Sequence, residues 1–191
     1  MTASVRQSVG VLLIFAVLTF AALPAAAEKW RNLVENAGRA FSNGEYIAAE
    51  KILRDAFEEA EILHPKGPQG AVVLNNLAIV LQSRGDVEGA EAAFKQAVSI
   101  WKSRLGPKDI NVAKTLHNLA ELKMTGGSLE SALKLYEEAV EIAERYEKSD
   151  PTTFARVLEG YANVLFDLGS TETSAKVRDR MNALPNVIRT R

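Results

Sequence analysis

The chain of 191 residues contains no cysteine and only two histidines. Without cysteine it can form no disulfide, no thiolate metal site and no acylated-cysteine lipid anchor, so the fold must be stabilised by its packed core alone. Charge of neither sign dominates, since 23 lysine and arginine residues face 24 aspartate and glutamate residues. Nucleic-acid binding requires a basic surface, which this balanced composition does not indicate, and we therefore expect no nucleic-acid partner.

The N-terminal segment 1–27 has the pattern of a secretory signal peptide. Arg6 is its only charge, an apolar run fills 9–23, and small residues precede a cleavage site. We predict cleavage after Ala27, which leaves Glu28 as the first residue of a periplasmic or secreted protein. The alternative is an uncleaved anchor in the inner membrane that faces the periplasm, because the uncharged stretch 7–27 is long enough to span a bilayer. Membrane contact is expected only in that case.

One pattern occurs three times at equal intervals along the chain. It reads LNNLAIVLQSRG at 74–85, LHNLAELKMTGG at 116–127 and LEGYANVLFDLG at 158–169. Before each closing glycine, apolar residues recur at steps of three and four, which predicts an amphipathic helix. The glycine can take the left-handed backbone that ends this helix, and the aspartate or serine after it can cap the next one. Each copy therefore predicts two helices joined by a tight turn.

A fainter copy near the start of the mature chain completes a set of four units. The units are 29–67, 68–109, 110–151 and 152–183. One helix pair cannot bury both of its apolar sides, so the pairs must stack on each other. No period-two pattern typical of strands competes. We predict an all-α chain, with an α-solenoid of about 3.5 to 4 helix-turn-helix units over residues 28–183 and a tail at 184–191.

The order of LNNLA, glycine, alanine, aromatic residue and alanine resembles the tetratricopeptide repeat. The 42-residue spacing is similar to that of the longer repeats of kinesin light chains. In the last unit Ser174, Arg178 and Met181 replace the alanine, aromatic residue and alanine, which suits a terminal cap with a polar outer side. The resemblance implies a curved array in which the first helix of each unit lines an inner groove that holds a partner protein or peptide.

The resemblance also assigns the groove to particular positions. They are Arg31, Val34 and Phe41 in the first unit; Val72, Asn75, Ile79 and Gln82 in the second; Lys114, His117, Glu121 and Met124 in the third; and Arg156, Glu159, Asn163 and Phe166 in the fourth. Arg31, Lys114 and Arg156 form a cationic row, and Phe41, Met124 and Phe166 form a row of aromatic and thioether side chains. Such rows can hold carboxylates or a peptide backbone and an apolar side chain. We expect Asn76, Asn118 and Trp101 to be structural.

The sequence shows no recognisable catalytic machinery. His117 and Glu121, four positions apart, could give a metal ion two ligands, fewer than a stable site uses. The glycines of TGGS at 125–128 lack the lysine and the spacing of a phosphate-binding loop. We expect no metal, no small-molecule cofactor and no catalysis.

The predicted function is that of an exported scaffold that binds a partner protein or peptide in its groove. One alternative is a membrane-anchored or self-associating structural subunit of an envelope complex. An enzyme is the third possibility. The sequence gives no indication of the oligomeric state.

Overall fold

The computed structural model describes residues 25–184, and within this range it contains eight α-helices and no β-strand. The all-α prediction is confirmed. The helices are α1 (Ala25–Ser42), α2 (Tyr46–Leu63), α3 (Pro68–Ser83), α4 (Val87–Leu105), α5 (Ile110–Thr125), α6 (Leu129–Ala143), α7 (Pro151–Asp167) and α8 (Thr171–Asn182). None of these helices is long and apolar enough to cross a membrane. The predicted apolar run of the signal peptide and most of the tail lie outside the described residues.

The helices form four antiparallel pairs that stack in chain order. Each helix packs against the next along the chain, within a pair and between pairs. The first helices of successive pairs, α1, α3, α5 and α7, also approach one another, whereas no comparably close approach joins the second helices of the described range. An array whose first helices are closer together than its second helices curves around the first helices. We call the side formed by α1, α3, α5 and α7 the inner face.

The turns inside the pairs contain the predicted left-handed glycines, but only one of the three predicted side-chain caps forms. Gly85 ends α3 with a φ of 84°, and no atom lies within 4 Å of the place a Cβ would occupy, so glycine is needed there for its conformation. Asp86 then caps α4, because its carboxylate accepts a hydrogen bond from the Gly89 amide at 2.9 Å. Ser128 and Ser170 occupy the same position but make no side-chain cap bond. The capping prediction is wrong for these two serines.

Within the second pair, the core combines small residues with one large ring. Ala78, Ala90, Ala97 and the ring of Phe94 are all fully buried in one apolar core. Alanine at these positions allows the two helices to approach closely, and the fully buried phenylalanine ring adds a large apolar area to the core. Trp101 is also buried, as the sequence predicted.

The connections between pairs are held by residues at the end of the following pair's second helix or in the turn just after it. The Arg104 guanidinium donates hydrogen bonds to the carbonyls of Pro65 and Lys66, at 3.0 and 2.9 Å. The Tyr146 hydroxyl donates to the carbonyl of Lys108 at 3.1 Å. The donor Tyr146 and the acceptor Lys108 lie one full repeat after Arg104 and Lys66. The repeat therefore extends to the contacts that fix one pair on the next.

Helix α8 forms the C-terminal end of the described array. Ser174 takes the alanine position, and its hydroxyl is satisfied by a 2.7 Å hydrogen bond to the carbonyl of Ala162. Arg178, at the aromatic position, is exposed and donates to the Asn163 side chain at 2.9 Å. Met181 is half-buried against the core. The remaining residues of α8 are mostly exposed and polar, so no apolar side is left for a further pair.

Candidate partner-binding face

The predicted groove residues separate into a buried group and an open group. The buried group is Val34, Asn75, Ile79 and His117. The half-buried members are Arg31, Phe41, Val72, Gln82, Lys114, Glu121, Met124 and Arg156, and the exposed members are Glu159, Asn163 and Phe166. Only the open residues can contact a partner without rearrangement. The most accessible part of the inner face therefore lies along α5 and α7, while residues 75 and 79 of α3 belong to the core.

Asn75 connects two units in place of facing a groove. Its side-chain oxygen accepts a hydrogen bond from Asn118 at 3.2 Å, and both residues are buried. The side-chain amide nitrogen of Asn75 has no hydrogen-bond partner among the described residues. Asn118 is thus structural, as the sequence predicted. The pairing with Asn75, which crosses from α5 to α3, was not visible in the sequence.

The predicted row of cations is partly occupied by partners within the chain. The guanidinium of Arg31 lies 5.5 Å from the ring centre of Trp30, a cation–π contact. The Lys114 ammonium pairs with the Asp150 carboxylate at 3.0 Å. Burial alone would raise the pKa of Asp150, but the hydrogen bonds from Lys114 and Thr153 outweigh it, so this pKa is lowered. Asp150 also caps α7, which makes the pair part of the fold.

A small pocket lies between α5 and α7 on the inner face. It is lined by Lys114, His117, Asn118, Thr153, Arg156 and Val157. It has room for about one water molecule, so it is an indentation on a larger surface and no cavity for a cofactor. Three of its residues were predicted groove positions. Thr153 and Val157 were not, because nothing in the repeat pattern indicates how far α7 lies from α5.

His117 is buried at the centre of this region and is neutral at neutral pH. Burial is the main reason that its pKa falls to about 3, and the charge of Arg156 lowers it further. Its Nε2 lies 3.5 Å from the Glu121 carboxylate. The centre of its ring lies 5.7 Å from the centre of the Tyr136 ring, in an edge-to-face arrangement. Its Nδ1 has no hydrogen-bond partner among the described residues. Burial raises the pKa of Glu121; Arg156 opposes this shift and Glu159 adds to it.

The stability of the protein will depend on pH through His117. The pKa of His117 is about 3 in the fold against 6.5 in an unfolded chain, so between these values only the unfolded state takes up the proton. Relative to a His117→Gln variant, the wild-type protein should lose about 1 kcal/mol of unfolding free energy between about pH 7 and pH 5.5. Urea unfolding of both proteins measures this, and the variant is needed because the raised pKa of Glu121 acts in the opposite direction. Parallel losses in the two proteins would assign the effect to other groups.

Stacked helix pairs that curve around their first helices define the class of the protein, a helical repeat protein. A family profile described as tetratricopeptide repeat matches residues 33–103 and 71–145, which together are more than half of the chain. The chain belongs to the tetratricopeptide repeat family, as its sequence predicted. A search of curated proteins gives no significant match.

Solved structures of other repeat proteins share the fold. BtubC (BKLC) from P. vanneervenii has a TM-score of 0.73 and 19% identity, covering 87% of this chain and 70% of its own. A putative kinesin light chain from Podosopora anserina, with nearly identical TPR-like repeats, has a TM-score of 0.73 and 20% identity, covering 88% and 80%. Pseudomonas aeruginosa pilF has a TM-score of 0.66 and 17% identity, covering 84% and 63%. The predicted similarity to kinesin-light-chain repeats is confirmed. At these identities the likeness establishes the fold alone.

Proposed function

We propose that the protein is an exported scaffold that binds a partner protein or peptide on its inner face, along α5 and α7, and that it performs no catalysis itself. Tetratricopeptide repeats generally bind protein partners and are typically non-catalytic. The observation that carries the proposal is the composition of the open face. Phe166 is 57% exposed there, with the polar residues Glu159 and Asn163 on the same helix and Met124 half-buried on α5. Exposed aromatic side chains surrounded by polar groups are typical centres of protein interfaces.

The alternative of self-association through the end helices has less support. At the start of the array, Asn32, Glu35, Asn36 and Arg39 of α1 are exposed. At the other end, α8 is polar on its outer side. Repeat arrays that stack end to end need apolar faces at both ends. The outer sides of α1 and α8 carry charged or amide side chains instead, and the exposed apolar side chains of the first pair, Ile47 and Ile62, lie on α2.

Site-specific photo-crosslinking in cells tests the binding face. A benzoylphenylalanine in place of Phe166 should give an adduct with one or a few proteins, because the side chain is exposed and of similar shape. The same probe at Glu137, exposed on the second helix α6, is the matched control and should give none of these adducts. Adducts at position 137 with none at 166 would place binding on the outer side and contradict the proposal.

The export part of the proposal is tested on the protein purified from the same cells. N-terminal sequencing should find Glu28 first in the soluble fraction. Met1 in a membrane fraction would favour the anchored alternative, and would leave the binding face to be judged by the crosslinks alone.

A further inference from the structure

We propose that two copies of this protein pair through the exposed side of α2, with the two helices antiparallel. This side, which we call the α2 stripe, consists of six exposed residues that recur at steps of three and four along one face of the helix: Ile47, Lys51, Arg54, Asp55, Glu58 and Ile62. The inference goes beyond the proposed function, because the open face lies on the third and fourth pairs and α2 belongs to the first. It also differs from end-to-end stacking, in which α1 and α8 would meet.

The first argument is that the stripe has apolar ends that the other second helices lack. Ile47 is 74% exposed and Ile62 is 75% exposed, more than any other large apolar side chain of the described residues. They are separated by about 22 Å of helix. The repeat register places polar side chains at both positions in the next two units: Glu88, Ser103, Glu130 and Arg145. The apolar ends are therefore a property of α2 and not of the repeat.

The second argument is that the stripe is complementary to itself. When two identical helices pack antiparallel about a two-fold axis, residues at equal distances on either side of the axis lie level with each other. With the axis between Arg54 and Asp55, Ile47 lies level with Ile62 of the second copy, and Lys51 lies level with Glu58 of the second copy. One register thus joins the apolar ends and pairs opposite charges. A parallel pairing would bring each lysine to its own copy and each glutamate to its own copy, which is disfavoured.

The third argument is that the charges of the stripe are available to a second copy. Within residues 25–184, Lys51, Asp55 and Glu58 form no ion pair. Arg54 pairs with Glu50 at 2.7 Å, but that carboxylate also pairs with a second guanidinium, so it serves two cations. In the antiparallel register Arg54 lies one turn from Glu58 of the second copy, and Asp55 lies one turn from its Lys51. Pairing between copies therefore breaks no ion pair of Lys51 or Glu58 within the chain.

Sedimentation velocity at increasing protein concentration tests the pairing. Because only one helix of each copy takes part, the interface is small, and we expect a reversible equilibrium between monomer and dimer. Ile47→Ser with Ile62→Ser should weaken the dimer at least about tenfold, since both apolar contacts are lost. Val87→Ser with Leu105→Ser is the matched control, because it removes two exposed apolar side chains from α4 and should leave the equilibrium unchanged.

Charge reversals test the antiparallel register. Lys51→Glu brings like charges level with each other, as does Glu58→Lys, and each variant alone should dimerise about tenfold more weakly than the wild type. An equal mixture of the two variants should form the dimer again, because the acids of one copy then lie level with the bases of the other. Both positions are exposed, so neither variant loses core packing, and circular dichroism should show an unchanged helix content.

Three results would overturn the inference. A monomer at every concentration would exclude the pairing and leave the α2 stripe to a different protein. A dimer that both single reversals leave unchanged would use another surface. A dimer that the single reversals weaken and the mixture does not restore would contradict the antiparallel register. The crosslinks at position 166 decide the proposed function separately from all three.

Discussion

Replacing Gly160 with alanine will destabilise the folded protein by about 2 kcal/mol, although alanine is the better helix former. A Cβ at this position of α7 would lie 2.5 Å from the ring carbon Cζ of Tyr136 and 2.5 Å from its hydroxyl oxygen. The ring is fully buried and cannot turn aside. Overpacking of this kind costs about 3 kcal/mol, against a gain of about 1 kcal/mol in helix propensity. Urea unfolding followed by circular dichroism gives the difference.

Two comparisons make the expectation for Gly160 sharp. Gly126→Ala adds the same methyl group where the nearest atom is 3.4 Å away, and it should change stability by no more than about 0.5 kcal/mol. In a Tyr136→Leu background, Gly160→Ala should no longer destabilise, because the ring it collides with is gone. If Gly160→Ala stabilises the otherwise unchanged protein, the ring does not pack against the backbone of residue 160.

The repeat register explains why glycine stands at this position. Asn76, Asn118 and Gly160 occupy the same place in successive repeats, as do Phe94 and Tyr136. The unit whose ring carries a hydroxyl is followed by a unit in which the asparagine is replaced by glycine. A larger side chain in one helix is thus matched by a smaller one in the next.

The sequence predicted the helix pairs because their signals are local and occur in every unit. The left-handed Gly85 and the cap of Asp86 can be recognised without knowing what packs against them. Contacts between units are of another kind. The hydrogen bond of Asn75 with Asn118 and the fit of Tyr136 against Gly160 depend on how closely one pair lies on the next, and no pattern within a unit reports that distance.

The same limit applies to the candidate binding face. The family pattern places residues on the first helices, but their exposure depends on the spacing of those helices. Asn75 and His117 are therefore buried, while Glu159, which occupies the equivalent position of the fourth unit, is exposed. Phe166, on the same helix as Glu159, is exposed as well. The partners of the cations were also unpredictable, since Asp150 lies in a connection between pairs. Asp150 caps α7, and no pattern within a unit indicates that it also pairs with Lys114 of the preceding unit.

Replacing Phe94 with alanine will have the largest effect, a loss of about 3 to 5 kcal/mol in unfolding free energy. The ring is fully buried on α4, and Ala90 and Ala97, one turn away on the same side of α4, are too small to fill the space that it would leave. A cavity that cannot collapse carries the full cost of the lost contacts. Thermal or urea unfolding of the purified variant measures the loss.

Phe166→Ala is the matched control, because it removes the same ring from a position that is 57% exposed. It should change stability by no more than about 0.5 kcal/mol and, if the proposed face is right, should weaken partner capture. The second pair has a neighbour on both sides, and each pair is stabilised mainly by its neighbours, so the loss at Phe94 will extend to the adjacent units. Equal and small effects of the two substitutions would mean that the ring of Phe94 does not hold α3 and α4 together.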